Sequence, residues 1–578
     1  MSFIPPGEEI AEKKICRISG QEFFVTDKDT EFYDKISPVF AGQKYLIPSP
    51  TLSPDERMRR RLSWRNERKL YHGKCAKTGN QIISSYSHDK EYTVYDPKIW
   101  DSDDWDPYSF NLEFNFSRPF FSQFDILMKR TPKPALTNGF WENADYCNLC
   151  YHLKDCYLCF CTDFCESCEY LYWSFESKNC FDWLNIAKSE YCYECVGCTS
   201  CFGAQECIDC RDSRDILFCF DCSGCHNCFG CSNLRNASYH FFNEPLPEEM
   251  YKKRIEEYKK SSEKTQVLMR GRVKDFMKKA IYRDTNNIHC ESCTGDFLHG
   301  CKNTYESFFA KWLIDCKYIS LCPGEAHHSY DIIGSLGSWD YECVSVDGSN
   351  VGFSAYIYPN NVNVYYSHFI NSSRDLFGCS SLKKAHHCVF NKSYSVQEYE
   401  KLVWKIIDHM RSTGEWGEFF PTEISPFGYD ETVAIEYFPL SQWEVLNRWW
   451  KWKWEEETSS YHGSYYTPLS IRDYDEKIVG YEIAKKNIDA VIDSILQCEV
   501  TGKPFKIIGQ ELVFHIEHSI PLPTKHPDQR HKERMDLRNP RKLHERTCTE
   551  CQKEIITTYS PERTERIVCE ECYRKLVY

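Results

Sequence analysis

The stretch CYECVGCTSCFGAQECIDC, residues Cys192–Cys210, has a cysteine at every third position except Ala204. The same stride runs from Cys147 to Cys231, and only Cys161 departs from it. A stride of three fits neither the 3.6-residue period of a helix nor the two-residue period of a strand. Steps of nine and twelve residues recur within it. We therefore predict a solenoid of short β-rungs whose thiols stack inside as small apolar groups.

Two metal-binding interpretations of this stretch stay open. Cys192–Cys201 and Cys222–Cys231 each hold four cysteines at ferredoxin-like spacing. The ferredoxin pattern ends in C-x3-C-P, however, and no proline follows either run. Zinc-binding knuckles are the second alternative. An iron–sulfur cluster would make the chain a redox protein for electron transfer, and this is the less favoured hypothesis.

A weaker repeat divides the middle of the chain into two arcs. The tetrapeptide Phe-Gly-Cys-Ser at Phe229 recurs at Phe377, and a helix-prone stretch follows each copy. We predict a first arc with its helix over residues 136–282 and a second over residues 283–412. A tryptophan-rich connector follows at residues 413–490, where packing against neighbours is favoured over stacking on bases.

The sequences at the two ends of the chain match each other at a fixed offset of 473 residues. Arg65-Asn66 recurs as Arg538-Asn539, and Cys75 falls on Cys548 without a gap. A match of this length without a gap is not expected by chance, so we predict a duplicated module at residues 1–135 and 491–578. The expected fold is mixed and mainly β, with zinc-ribbon-type modules at both ends flanking a two-arc, cysteine-rich β-solenoid with short helices.

The C-terminal copy contains the strongest metal signal in the chain. Two C-x2-C pairs flank the segment Gln552–Val568, and this separation is the spacing of a zinc ribbon. The predicted ligands are Cys548, Cys551, Cys569 and Cys572. Because four protein ligands leave no open position, one zinc ion with a structural role is expected.

The other ribbon positions have lost ligands. The N-terminal copy has Cys75, Thr78, Asp96 and Ile99 where the four cysteines stand, so it is expected to be empty of metal. Cys498 and His526 are a candidate pair for weak metal binding in the C-terminal module. Although these ligand positions have changed, both copies retain a set of arginines.

Each module contains a basic segment that begins with proline, a favoured first residue of a helix. The arginines recur at spacings of four, four and three, which places them on one helix face. They are Arg57, Arg61, Arg65 and Arg68 in the first copy and Arg530, Arg534, Arg538 and Arg541 in the second. One interpretation is a stripe that contacts the phosphates of nucleic acid. The other, slightly favoured, is a solvated or salt-bridged face braced against the ribbon.

The composition and the absence of known catalytic motifs limit the classes of function that the chain can have. The net charge of −14 argues against a general nucleic-acid coat protein, although a local basic face stays compatible with it. No signal segment and no long apolar run is found, so a cytoplasmic protein without a membrane span is expected. No phosphate-binding loop, dinucleotide fingerprint, nucleophile elbow or metalloprotease motif occurs.

Several further segments carry a family resemblance over nearly the whole chain. They are Arg65–Arg68, Tyr92–Asp96, Phe116–Gln123, Asn227–Asn236, Gly414–Gly417 and Pro521–Pro523. In these segments the chain resembles a large family of uncharacterised cysteine-rich zinc-ribbon proteins from ultra-small uncultured bacteria. The resemblance implies a cytosolic zinc-ribbon architecture and no established activity. The family shows C-P-x-C-R where this chain has His526–Arg530, which departs from a zinc site there.

Together these observations favour a non-enzymatic zinc-containing binding or scaffold protein. Its basic helices would contact RNA, DNA or a ribonucleoprotein. An iron–sulfur electron-transfer protein is the alternative, and an enzyme with an unrecognised site is a distant third. The sequence does not define the oligomeric state.

Overall fold

The computed structural model describes residues 4–261, 263–453, 474 and 481–578. Strands make up 34% of it and helices 26%, and it contains a closed barrel of seven parallel strands. The prediction of a mixed, mainly β fold is therefore confirmed. Much of the predicted tryptophan-rich connector, at residues 454–473 and 475–480, lies outside the described residues. Within the described part of the chain, every helix is too short or too polar to cross a membrane.

Residues 138–245 form the first β-stack, in which short strands pair in parallel except for the last one. Its strands are Asn138–Asp145, Cys150–Tyr157, Asp163–Glu166, Glu169–Phe175, Phe181–Ala187, Arg214–Leu217, His226–Phe229, Ser238–Phe241 and Glu244–Pro245. Along the stack each segment pairs with the segment twelve residues further on, as Tyr151 does with Asp163. Isolated bridges keep this offset between residues 187 and 214, as at Val196 and Ile208.

A left-handed backbone conformation recurs at every third residue of the first β-stack. Leu158, Cys161 and Phe164 have φ angles of 49°, 55° and 54°. Each such residue turns the chain, so four turns return it to the same edge twelve residues later. The cysteines of the stride lie between these corners in one buried cluster. Their thiols donate to backbone carbonyls, as Cys159 Sγ does to the Cys168 oxygen at 3.3 Å.

Residues 291–393 form the second β-stack, which is built in the same way with fewer cysteines. Its strands are Glu291–His299, Lys302–Lys311, Leu313–Lys317, Ser320–Cys322, Ala326–His327, Tyr330–Ser338, Tyr341–Gly352, Ala355–Tyr365, His368–Ile370, Arg374–Phe377, His386–Val389 and Lys392–Ser393. The pairing offset is less constant here, since Val344 pairs with Ala355 but Val351 pairs with Val364. Leucine, isoleucine and valine replace many of the thiols in its core.

Each stack ends in an antiparallel hairpin followed by a helix. The helices are Glu248–Lys259 after the first stack and Val396–Thr413 after the second. Their first residues keep the register that aligns Phe229 with Phe377, which we call the stack register. A further helix, Glu263–Met277, and the strand Ile281–Arg283 connect the two stacks. The segment after the second stack contains the short helices Thr422–Ile424, Tyr429–Glu431, Ala434–Tyr437 and Gln442–Asn447.

The terminal modules consist of short hairpins and helices. The N-terminal module has strands Ile10–Ile15, Glu22–Thr26, Val39–Phe40, Gln43–Lys44, Tyr71–Lys74, Gln81–Ser84, Val94–Tyr95 and Lys133–Pro134, with helices Asp27–Lys35, Pro54–Leu62, Pro97–Asp101, Pro107–Phe110 and Phe120–Arg130. The C-terminal module has strands Leu496–Gln497, Pro504–Phe505, His544–Thr547, Glu554–Thr557 and Arg566–Val568, with helices Tyr481–Asp493, Gly509–His518, Pro527–Asp536 and Glu570–Val577.

The hairpins of the two modules share one register, which we call the module register. Tyr71 pairs with Ser84 in the first module, and the corresponding residues His544 and Thr557 pair in the second. The proline-initiated helices begin at Pro54 and Pro527, which correspond in the same register. The hairpins and proline-initiated helices of the two modules therefore match in local structure, although the modules differ in their cysteines.

The modules dock crosswise on the stacks. The helix Pro54–Leu62 of the N-terminal module packs on the second β-stack, where its arginines meet Asp331 and Glu342. The helix Pro527–Asp536 of the C-terminal module packs on the first β-stack at Asp182. Each module thus covers the stack that is more distant from it along the chain.

Candidate metal centre and buried arginine clusters

Four cysteines converge at the C-terminal end. Cys548 follows the strand His544–Thr547, and Cys569 caps the helix Glu570–Val577. One sulfur atom from each of Cys548, Cys551, Cys569 and Cys572 lies within 4.8 Å of the others. The Cys551 and Cys569 sulfurs are 3.7 Å apart. This group could hold a metal ion, as the spacing of the two C-x2-C pairs predicts.

Backbone hydrogen bonds and neighbouring thiols shift the pKa values of these cysteines in opposite directions. Burial raises the pKa of Cys548, but backbone N–H groups of Cys551 and Cys569 outweigh burial and lower it to about 6. Burial and its neighbouring thiols raise the pKa of Cys572 to about 12. Thiolates this close repel one another, so full ionisation of the group requires a cation. A set of four thiolates suits a soft or borderline metal in tetrahedral geometry.

The corresponding place in the N-terminal module keeps its backbone geometry with one thiol. Cys75 Sγ accepts a hydrogen bond from the Asp96 backbone N–H at 3.3 Å, as Cys548 Sγ does from Cys569 at 3.3 Å. Thr78 also bonds the Cys75 thiol, and these bonds outweigh burial to lower its pKa. Hydrogen bonds thus occupy the Cys75 sulfur. Among the described residues, the Cys548 group alone assembles three or more metal-ligating side chains.

Cys498 and His526 are neighbours with other roles. The His526 Nδ1 atom accepts the Asp528 backbone N–H at 3.0 Å, so it caps the helix Pro527–Asp536. Thr501 and the His526 backbone donate to the Cys498 thiol and lower its pKa against the effect of burial. One imidazole nitrogen and the thiol are therefore already engaged in hydrogen bonds.

The arginines of the N-terminal helix are buried and paired with carboxylates. The side chains of Arg57 and Arg61 are 2% and 0% exposed. Arg57 Nη2 lies 2.9 Å from Asp331 Oδ2, and Arg61 bridges Asp331 and Glu342 at 3.0 and 2.8 Å. Arg60 adds a contact to Glu342 at 2.9 Å. This cluster fixes the N-terminal module on the second β-stack.

A second cluster repeats this arrangement at the other end of the chain. Arg534 Nη1 lies 2.8 Å from Asp182 Oδ1, and Arg530 contacts both Asp182 and Glu511. The hydroxyl of Tyr170 donates to Glu511 at 2.8 Å. All of these side chains are buried.

The remaining arginines of the predicted stripe also have structural contacts. Arg68 bonds Asp528 at 3.1 Å, which joins the two modules. Arg541 lies 3.7 Å over the Tyr437 ring, and Arg538 lies 4.0 Å over the Phe309 ring. Arg65 bonds Glu67 within its own module.

These contacts agree with the slightly favoured interpretation, a salt-bridged face, and the phosphate stripe stays an untested prediction. Arg57, Arg61, Arg530 and Arg534 are enclosed against carboxylates, and nucleic-acid phosphates would have to displace those partners. The arginines differ from the interpretation of a salt-bridged face in one respect, since they face carboxylates of the β-stacks and not the cysteine-containing hairpins of their own modules. The sequence reasoning missed Asp182 and Asp331, which lie at left-handed corners of the stacks. Acidic residues between the regularly spaced core positions were the available signal.

One carboxyl beside the second cluster lacks a partner. Glu169 is fully buried, and neither of its side-chain oxygens has a hydrogen-bond partner. Burial, together with the nearby Glu511 and Asp182 charges, raises its pKa to about 10. The corresponding residue of the second β-stack, in the stack register, is Lys317, which bonds Asp29 at 2.6 Å. Glu169 is therefore held neutral where its counterpart is an ion pair.

Comparison with known proteins adds no assignment. No family model matches the chain, and no curated protein matches it. Among solved structures, a chain assigned as an acetyltransferase from Desulfovibrio desulfuricans G20 is 6% identical, covering 43% of this chain and 68% of that one. Its TM-score of 0.10 is too low to relate the two folds.

Proposed function

We propose that this chain is a non-enzymatic, zinc-containing scaffold or binding protein. Its C-terminal module is a zinc ribbon with Cys548, Cys551, Cys569 and Cys572 as ligands. The N-terminal module is a second copy of that ribbon whose structure no longer depends on metal. The two β-stacks are the arcs of a β-solenoid, and they shield the arginine faces of both modules from solvent.

One observation carries the proposal. The ribbon strand Arg566–Val568 pairs in parallel with Ile281–Arg283, the strand that connects the two β-stacks. The Asp284 backbone N–H continues this contact by donating to the Val568 oxygen at 2.9 Å. Thr558 also donates to Asp296, at the start of the second stack, at 2.7 Å.

Metal binding and the architecture would therefore be coupled. Cys569 directly follows the strand Arg566–Val568, so its coordination fixes the end of that strand. In small zinc domains the binding free energy is also folding free energy. Zinc at the C-terminal cysteines would stabilise the contact that ties the ribbon to the connection between the stacks.

The experiment compares two cysteines at equivalent positions, with metal content measured on protein purified without oxygen. Wild type is expected to contain about one zinc per chain, as a closed set of four cysteines binds one ion. Cys548→Ser should lose the zinc and speed hydrogen exchange in Ile281–Arg283. Cys75→Ser, the control, should keep both properties.

Three outcomes would contradict the proposal. Several irons per chain would favour the electron-transfer alternative. Zinc lost in Cys75→Ser would place the metal in the wrong module. Unchanged exchange at Ile281–Arg283 after zinc loss would uncouple the ribbon from the stacks.

The partner predicted from the sequence was RNA, DNA or a ribonucleoprotein. That prediction relied on arginines which are bonded to carboxylates or packed on aromatic rings. The proposed scaffold therefore assigns the carboxylate-paired arginines, Arg57, Arg61, Arg530 and Arg534, to internal docking. Nucleic-acid binding through them forms no part of the proposal.

A further inference from the structure

A cavity of about 210 Å³ lies where the first β-stack, the second β-stack and the C-terminal module meet. Gly197 and Asp209 line it from the first stack, Phe309 from the second, and Arg538 and Tyr559 from the module. Junctions between structural units are common places for small-molecule sites. This volume is somewhat larger than that of a cavity of about 150 Å³ that binds benzene, so a small organic ligand fits.

Arg538 packs on the Phe309 ring at this cavity, but two of its nitrogens lack hydrogen-bond partners. Its Nε and Nη2 atoms are buried and have no hydrogen-bond partner. Its remaining nitrogen has a weak contact with the Met535 sulfur at 3.7 Å. A guanidinium group carries five donors, and burying them unpaired costs free energy.

The equivalent arginine in the other module shows what is missing. Arg65 corresponds to Arg538 in the module register, and it donates from Nε to the Glu67 carboxylate and from Nη1 to Ser345. Its Nη2 donates to Cys161 Sγ at 3.4 Å. The guanidinium of Arg65 is thus bonded at all three nitrogens.

All three partners are replaced around Arg538. In the module register Glu67 corresponds to Pro540, which has no carboxylate. In the stack register Ser345 corresponds to Gly197, and Cys161 corresponds to Phe309. Gly197 has a φ of 69°, and a Cβ atom there would collide with the Asp209 carboxylate. The site therefore replaces three hydrogen-bond partners with a proline, a glycine and an aromatic ring.

We propose that this cavity binds a small organic carboxylate with a flat apolar body, whose carboxylate pairs with Arg538. This goes beyond the scaffold role proposed above. A carboxylate is favoured because it is the group that Glu67 presents to Arg65, and because guanidinium and carboxylate match as planar forks. An apolar ring fits the walls, where Phe297 stacks on Phe309 at 4.7 Å.

Two carboxyls line the cavity, those of Asp209 and the exposed Asp536, and the partly buried Asp209 is compatible with this ligand. Burial raises the pKa of Asp209 to about 8, although Arg211 acts against it. At neutral pH a protonated Asp209 can donate a hydrogen bond to a bound carboxylate. A doubly charged phosphate would meet more repulsion there once Asp209 ionises.

The test uses 4-fluorobenzoate as the probe, with binding followed by fluorine NMR on the full-length, zinc-loaded protein. Saturable binding at millimolar probe is expected, with competition by benzoate and none by benzamide or inorganic phosphate. Arg538→Met should weaken binding at least about tenfold, since it removes a charged pair. Arg566→Met is the control, because Arg566 is an exposed arginine of the same module.

Pro540→Glu gives a second, independent variant. It supplies the carboxylate that Glu67 gives to Arg65, so it should block the probe while Arg538 stays in place. The proposal is overturned if wild type shows no saturable binding, or if benzamide competes as well as benzoate. It is also overturned if Pro540→Glu folds with its zinc and binds the probe as wild type does.

Discussion

Replacing Glu169 with glutamine is expected to stabilise the protein. The carboxyl has a pKa of about 10 in the folded state and an ordinary value of 4.5. At pH 7 the unfolded chain therefore releases a proton that the folded chain must keep. Each pKa unit corresponds to about 1.4 kcal/mol, so the 2.5 units between 4.5 and 7 cost the fold about 3 kcal/mol. Glutamine has no proton to release and removes this cost.

The pH dependence distinguishes this cause from a packing effect. The folded state binds more protons than the unfolded state between pH 4.5 and 10, so stability falls as pH rises through that window. The advantage of Glu169→Gln should shrink to below about 1 kcal/mol at pH 5 and grow to about 5 kcal/mol at pH 8. A shape change alone would give the same difference at every pH.

Thermal unfolding of the two proteins at pH 5, 7 and 8 measures this. If a unit of about 150–250 residues around Glu169 unfolds cooperatively, 1 kcal/mol corresponds to about 2–4 °C, so a rise of roughly 6–12 °C is expected at pH 7. Glu190→Gln, an exposed carboxyl of the same stack, is the control and should change little. A Glu169→Gln advantage that is absent, or equal at pH 5 and 8, would refute the assignment of a neutral Glu169.

Three other perturbations test the electrostatics and the core. Lys133 is 1% exposed, and burial lowers its pKa to about 7. Lys133→Met removes an ionisation cost of about 4 kcal/mol at pH 7, but it also loses the hydrogen bond from Lys133 Nζ to Ser380, worth about 1 kcal/mol. Urea unfolding should therefore show a net gain of about 3 kcal/mol at pH 7 that shrinks toward pH 10. An advantage that grows with pH would contradict this. Asp331→Asn leaves two buried arginines without a full partner and should cost about 3–5 kcal/mol in the same assay, whereas a loss below about 1 kcal/mol would mean that the cluster is solvated. Thiol titration of native protein should find fast reaction only at the cysteines that are not fully buried, and rapid reaction of all thiols would show that the first β-stack opens. These cysteines are Cys290 and Cys293 while zinc is bound, and Cys551 and Cys572 should join them once a chelator removes the zinc.

The convergence of the four C-terminal cysteines and the secondary-structure class could be predicted because both depend on local spacing. Two C-x2-C pairs at the right separation leave few alternatives for Cys548 and its partners. The stride of three in Cys192–Cys210 excluded helix and simple strand. The structure adds the cause of that stride, which is a left-handed residue at each corner and a parallel pairing twelve residues away.

The role of the arginines could not be predicted from the same kind of pattern. Spacings of four, four and three place Arg57 and Arg61 on one helix face whether that face meets water, phosphate or protein. The partner of Arg57 is Asp331, which lies 274 positions further along the chain. No motif in the sequence identifies Asp331 as that partner. The cavity at Arg538 was hidden for the same reason, since it depends on Gly197 meeting a distant module.

The crosswise docking of the modules has a consequence for synthesis on the ribosome. Asp182 is buried in the first β-stack, yet its partner Arg534 is made 352 residues later. At about 5–20 residues per second, that interval lasts roughly 20–70 s. During it the nascent first stack exposes an acidic, aromatic face that only the last part of the chain can cover. A growing chain thus depends on its own C-terminus for protection, and a ribosome that stalls before residue 530 leaves this face open to aggregation or to a chaperone.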